Sequence, residues 1–283
     1  MNAPTLPVGI YGMQGIVPVM PNGAYHARHA VSASGLKALS KSPRHYWAAH
    51  LDPNREPKEP TPAMKAGTLA HCMILEPESF QARYVIRPDG LDMRTKAGKA
   101  WSEGAPSWAD IISQSEHRAA SLQSQAVRAL PEVSALLAKG QPEVSAFWVD
   151  QTTGSACKCR PDWVSPAGAG VVLVDIKTCP DASPKGFARA VANFRYDLQA
   201  AWYSHGYEHA SGLPVLGFVF AAVEHDYPHA AAAYMLDDDT LAKARAECDR
   251  LLALHRQCTD TGNWPGYPEH IQLLTLPAWA NKD

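Results

Sequence analysis

The sequence predicts an α/β fold: a small sheet flanked by helices, preceded by a helical N-terminal extension. Three observations predict it. Before Leu137, apolar residues recur at helical spacing in three stretches, Ser32–His50, Ala63–Leu75 and Ile112–Leu137. After Pro142 the character changes to short apolar runs bounded by Gly, Pro or Asp, the signature of strands. A long helical pattern then follows the third of these runs, from Pro184 to His209.

Residues 1–30, rich in Pro, Gly and Met without a clear period, read as an irregular arm. Ser32 to His50 reads as helix, with Ser34 a candidate N-cap and a break near Pro43. Asp52 to Pro62 carries four prolines and reads as an exposed connector, before the helical pattern returns from Ala63 to Leu75. Arg87 to Ala109 is charged and interrupted by Gly98, Gly104 and Pro106, so a mobile or partner-ordered stretch is expected. Ile112 to Leu137 reads as helix broken near Pro131. Val144–Val149, Ala156–Val164 and Val171–Lys177 read as three successive strands of a meander, with turns at Thr153-Gly154 and around Pro166, Gly168 and Gly170. Val215–Val223 and Ala230–Met235 add two strands, and Asp239–Cys258 a final amphipathic helix. The division expected is a 1–30 arm, one domain over 31–265 with its core at about 63–258, and a 266–283 tail.

A 283-residue chain that is 46% hydrophobic can bury a sizeable core. No apolar run reaches the ~18 residues that a membrane span needs, and Met1 to Met20 lacks the pattern of a secretory signal. None of the six cysteines forms a Cys-x-x-Cys pair, which fits a reducing cytoplasm. Cys157 and Cys159 alternate along a strand and read as small sheet residues rather than as metal ligands. The net charge of −2 argues against a polycation, although Arg94, Lys96 and Lys99 cluster.

One stretch is chemically unusual. Four apolar residues, Val171 to Val174, run into Asp175-Ile176-Lys177. Alternation along a strand puts Asp175 and Lys177 on one face and Ile176 in the core. Asp162 lies near the end of the preceding strand, and a hairpin between the two strands brings it close to Asp175. Two neighbouring carboxylates stay ionised when a cation neutralises them, and magnesium accepts one or two carboxylates plus waters and phosphate. Lys177 would then orient water or stabilise charge. The bland alternative is a surface ion pair at a strand end.

The surrounding pattern favours the site. Glu143 begins the first strand, Asp162 ends the second, and Asp175 and Lys177 end the third: this order resembles the acid–acid–lysine signature of the PD-(D/E)xK nuclease superfamily. Gln199 and Tyr203, four apart on one helical face, are similar to the Gln-x-x-x-Tyr of members with a RecB-like nuclease domain. Gly67 to His71 resembles their Gly-x-x-x-His helix. From about Tyr25 to Gly212 the text resembles the RecE-like exonuclease (exodeoxyribonuclease VIII) family, through Ser32-Ala33-Ser34-Gly35-Leu36, Ser42-Pro43-Arg44-His45-Tyr46-Trp47, Thr61-Pro62-Ala63-Met64 and Arg94-Thr95-Lys96-Ala97-Gly98-Lys99.

The resemblance implies a PD-(D/E)xK core with a small mixed central sheet. It implies metal ligation by Asp162, Asp175, the Ile176 carbonyl and His71, with Lys177 acting on the nucleophilic water. Glu143 would be a further acid, and Gln199 and Tyr203 would position the lysine or the DNA backbone. The implied cofactor is Mg2+, with Mn2+ as its substitute; no Gly-x-x-x-x-Gly-Lys loop calls for ATP. The implied substrate is a linear double-stranded DNA end, digested 5′ to 3′ by a homo-oligomeric ring that works beside a single-strand annealing protein. Arg94, Lys96 and Lys99 are candidates for the channel lining, and Tyr46, Trp47 and Trp101 for end-stacking wedges. Rival readings are a Cas4-like or other endonuclease or single-strand nuclease, whose four-cysteine cluster is lacking here, and a DNA-binding module without catalysis.

Overall fold

The computed structural model describes residues 14–56 and 59–276. In chain order, β1 (Gly15–Val17) and α1 (Asn22–Ala27) precede α2 (Ala33–Leu39), α3 (Pro43–His50) and α4 (Pro62–Leu75). Then come α5 (Phe80–Arg83), β2 (Tyr84–Ile86), α6 (Lys96–Gly104), β3 (Asp110–Ile112), α7 (Gln114–Arg128) and α8 (Pro131–Leu137). The second half holds β4 (Gln141–Pro142), β5 (Ser145–Val149), β6 (Ala156–Cys159), β7 (Trp163–Ala167) and β8 (Gly170–Cys179). It ends with α9 (Pro184–Phe194), α10 (Tyr196–Ser211), β9 (Val215–Glu224), β10 (Ala231–Tyr234) and α11 (Asp238–Thr261). Among the described residues no helix is long and apolar enough to cross a membrane.

The central sheet has the order β10-β9-β8-β7-β4, mixed because β8 and β9 run parallel and the other pairs antiparallel. Its middle strands are apolar on both sides because helices cover both faces. Leu173, Phe218, Phe220 and Ala222 join one core with α2, α9, α10 and α11. Val174, Ile176, Val219, Ala221 and Val223 join another with α4, α7 and α8. Each fully buried Val, Leu, Ile or Phe contributes about 1.5–3 kcal/mol. A smaller sheet, β1-β5-β6, leans on α10. Gly206 permits that approach: a Cβ there would lie 2.2 Å from the Trp148 ring.

Several sequence expectations are corrected here. The three-strand meander is two hairpins in two sheets, β5–β6 and β7–β8. The run Ala156–Val164 is cut because Pro161 cannot donate to a ladder, so the chain passes between sheets at Arg160-Pro161-Asp162. Asp162 therefore opens β7 instead of ending the second strand. Glu143 makes the matching corner between β4 and β5 with φ of 53°, and its N–H donates to the Asp162 carbonyl at 3.0 Å.

The N-cap of α2 is Ser32, whose hydroxyl accepts from the Gly35 N–H, and not Ser34. Of the 1–30 arm, residues 15–17 pair with β5 and 22–27 are helical, while residues 1–13 lie outside the described residues. The 87–109 stretch contains α6, capped by Thr95. Gly98 fits there because the helix backs onto Asp92 so closely that a Cβ would lie 2.2 Å from its carbonyl oxygen. The long helical pattern after Pro184 is two helices, α9 and α10, separated by Arg195 in the left-handed region.

Candidate metal and catalytic site

The site forms where β7 begins and β8 runs on past it. Trp163 pairs with Val174, so the next opposed positions are Asp162 and Asp175. Opposed residues in an antiparallel pair share a face with Cβ atoms about 5 Å apart. Asp162 Oδ2 accepts the Ile176 N–H at 2.8 Å, so the Asp162 carboxylate takes the place of the missing strand partner. The N–H and C=O of a residue in an antiparallel ladder serve the same neighbour. The Ile176 carbonyl thus points to this same gap beside β8. From α4, on the other face of the sheet, His71 reaches round to Asp162, with Nδ1 3.5 Å from Oδ2.

Asp175 is completely buried, on the face of β8 that meets α10. Gln199 Nε2 donates to its Oδ1 at 2.5 Å, and Lys177 forms an ion pair at its Oδ2. The Lys177 ammonium is thus what compensates the buried Oδ2. Burial, then the charge on Asp162, pushes the Asp175 carboxyl up, with Lys177 acting the other way. The strand register, which opposes Asp162 to Asp175, sets the two side chains on one face. Burial alone would lower the Lys177 pKa, but attraction to Asp175 and Asp162 outweighs it and holds the ammonium charged.

Glu143 lies beside this cluster, paired with Arg160 at 2.9 Å. Burial, then Asp162, raises its carboxyl to about 7. Holding a non-glycine residue in the left-handed region costs on the order of 1–3 kcal/mol, a strain that collects at functional sites. Tyr203 stands one turn beyond Gln199 and meets Phe218 edge-on. Burial chiefly, with neighbouring Tyr25 and Asp175, holds its phenol far above the ordinary value.

The structure thus gathers Asp162, Asp175, Ile176, Lys177, His71 and Gln199, with Glu143 and Tyr203 at the border. His71 and Glu143 line an open cleft of ≈1220 Å³ that also touches Arg160, Thr178, Phe194 and Tyr196. Asp175, fully buried, is not among the residues that line it. Among the described residues no group of three or more His, Cys, Asp or Glu side chains is gathered round one point. The oxygen-rich set nonetheless suits a hard divalent ion that keeps several waters, because such an ion needs only one or two carboxylates. The buried Asp175 Oδ2, which has a cationic partner in Lys177, is where a bound cation would be neutralised.

Sequence reasoning missed Lys37 as part of the site. Its ammonium donates to Gln199 Oε1 at 3.1 Å, and it stands 5.0 Å from the Tyr196 ring centre, with Lys177 4.8 Å from the same ring. Burial, then repulsion from Lys177, lowers the Lys37 ammonium to about 8. Its partner is 162 residues away, so no local signal could have found it. Of the surface candidates, Arg94 is exposed and forked onto Asp92, and Lys96 and Lys99 are exposed; none lines the cleft. Tyr46 is buried, stacked on Trp264, so it belongs to the core and not to a wedge. Trp47 carries Arg44 over its ring, and Trp101 is half-buried on α6.

The mixed sheet with acids at neighbouring strand ends and a lysine two residues on defines the PD-(D/E)xK nuclease fold. Residues 32–277 match the model of the family described as "PDDEXK-like domain of unknown function (DUF3799)", and the chain belongs to that family. Its fold is shared with the crystal structure of a candidate exonuclease from Eubacterium rectale, at 15% identity and a TM-score of 0.61 over 92% of this chain and 96% of that one. The structure of SSO0001 matches 50% of this chain and 68% of its own, at 17% identity and a TM-score of 0.29. No curated protein matches the sequence.

Proposed function

We propose that this chain is a magnesium-dependent exodeoxyribonuclease that hydrolyses phosphodiester bonds of linear double-stranded DNA, 5′ to 3′, leaving 3′ single-stranded tails. The observation that carries the reading is the crowding of Asp162, Asp175 and Lys177 at the start of β7, with His71 against Asp162. The exonuclease description of the Eubacterium rectale protein and the resemblance to RecE-like sequences support the choice of substrate.

Asp162, Asp175 and the Ile176 carbonyl would hold the ion, with His71 beside it. When bound, Mg2+ or substituting Mn2+ lowers the pKa of a coordinated water and stabilises charge on the phosphate. Lys177, paired with Asp175, would be placed to orient that water or to stabilise charge on the phosphate. Gln199 keeps Asp175 Oδ1 in place meanwhile. Glu143 adds an acid at the cleft wall, and Tyr203 backs Gln199 on α10. Nothing in this chemistry requires ATP. A homo-oligomeric ring around DNA and a single-strand annealing partner belong to the same proposal and rest on the RecE-like resemblance alone.

The test is digestion of linear duplex DNA labelled at either end, beside a covalently closed circle, with Mg2+ or EDTA. Wild type should shorten the linear substrate from its 5′ ends only with the metal and spare the circle. Asp175→Ala should be inert. Equal digestion by both proteins would defeat the site assignment, and cutting of the circle would replace the exonuclease reading with an endonuclease one.

A further inference from the structure

The cleft contains an aromatic surface that the proposed chemistry does not use. Phe194 is the last residue of α9 and Tyr196 the first of α10. In a continuous helix, two residues apart means roughly 200° apart around the axis, so their rings would face opposite ways. They instead meet, with centroids 5.6 Å apart and planes 27° from parallel. The reason is Arg195, which adopts φ 50° and ψ 50° and reverses the chain between the helices. Its guanidinium is forked onto Asp197 at 3.0 Å, so the unusual conformation is held by a charged clamp.

The clamp leaves Phe194 59% exposed although Phe187 on the same helix is buried. The stack is also polarised along its length. Tyr196 carries both Lys177 and Lys37 within 5.0 Å of its ring centre, and Phe194 offers bare aromatic surface to the cleft. A planar aromatic surface on the cleft wall, with two ammonium groups at Tyr196 that do not themselves line the cleft, fits a flat base with its phosphate drawn toward Lys177. Base stacking on an aromatic ring is worth about 1–3 kcal/mol and tolerates any base.

We propose that Phe194, backed by Tyr196, is a stacking platform for an unpaired nucleobase of the DNA strand whose phosphate lies at Lys177. This rests on the nuclease reading for the identity of the ligand. The site adds sequence-independent grip on a single strand and sets where along that strand the phosphate stands.

Binding of the full chain in EDTA, where no cleavage occurs, tests it. The probes are a fluorescein-labelled single-stranded oligonucleotide and its counterpart of equal phosphate count made of abasic residues. Wild type should bind the base-bearing strand about tenfold more tightly than the abasic one. Phe194→Ala should lose that preference and leave abasic binding unchanged, and Phe194→Trp should keep it. Phe194→Ala with an unaltered preference, or weakened equally on both strands, would overturn the platform. So would a variant that changes only the oligomeric state. Base-dependent binding by a protein that cuts no DNA would keep this inference and remove the nuclease reading; cutting without any role for Phe194 would do the reverse.

Discussion

Two lysines, one buried beneath the N-terminal segment and one half-buried near the end of β8, show how neighbours decide what a sequestered charge does. Lys158, 6% exposed, donates to the Tyr25 carbonyl at 2.9 Å and the Arg28 carbonyl at 2.7 Å, and stands over the Tyr25 ring. It meets carbonyls and an aromatic face, and burial lowers its ammonium to about 8. Lys177 has Asp175 and Asp162 nearby and is held above its ordinary value. A lysine that satisfies carbonyls fastens one segment to another. A lysine set against two crowded carboxylates occupies a place where a stronger cation can compete, which is what the proposed chemistry requires.

The largest expected effect follows from Lys177. Lys177→Met should lower the cleavage rate by roughly 10²–10³-fold, the scale for losing one preorganised charge at a reacting centre, in a protein whose circular dichroism is unchanged. A rate within threefold of wild type would place Lys177 with Lys158 as a structural group.

Lys158→Met should act on folding instead. Two carbonyls lose a charged donor, which costs about 2 kcal/mol in urea unfolding. Proteolysis should then attack residues 15–30 first, while the turnover of intact protein changes little. Unchanged stability would mean that the segment is held mainly by Arg160, which bonds the Met20 carbonyl at 2.7 Å.

Lys37 sharpens the contrast because it reaches the site only through Gln199. Lys37→Met should reduce cleavage about tenfold, a usual size for loss of a group that orients a metal-binding carboxylate. In a double-mutant cycle it should add nothing to Gln199→Ala, because coupled residues are non-additive. Full additivity would show an independent role.

The smallest effect is one of pH. An unfolded lysine keeps its proton to about 10.4, whereas Lys158 in the fold releases it near 8. Between those values the unfolded chain binds more protons, so Lys158 makes stability rise with pH. Lys177 has the opposite sign: its raised value lends stability that is full below the unfolded pKa and lost as pH climbs through the folded one. Urea unfolding at about pH 7.5 and 9.5 should show wild type gaining on Lys158→Met at the higher pH. A gap that does not move would contradict the assignment.

These comparisons also explain what could be read from sequence. Asp175, Ile176 and Lys177 were placed because strand alternation is local and strict, and the face assignments in the structure agree. The β7–β8 hairpin was legible for the same reason. The second strand was misread because a proline in an apolar run ends one strand and starts another, and which sheet each half joins depends on partners far away. Ser32 and Ser34 offer the same capping chemistry, and only the path of the chain selects Ser32. Lys37, Arg160 and the Phe194–Tyr196 pair were invisible because their roles depend on left-handed corners and on partners remote in sequence.

The account depends most on Asp162 and Asp175 sharing one divalent ion, and titration of the DNA-free protein with Mn2+ followed by electron paramagnetic resonance addresses that directly. Wild type should deplete the free Mn2+ signal with saturable stoichiometry, and Asp162→Ala and Asp175→Ala should each abolish the depletion while remaining folded. Identical binding curves for wild type and both variants would contradict the shared site.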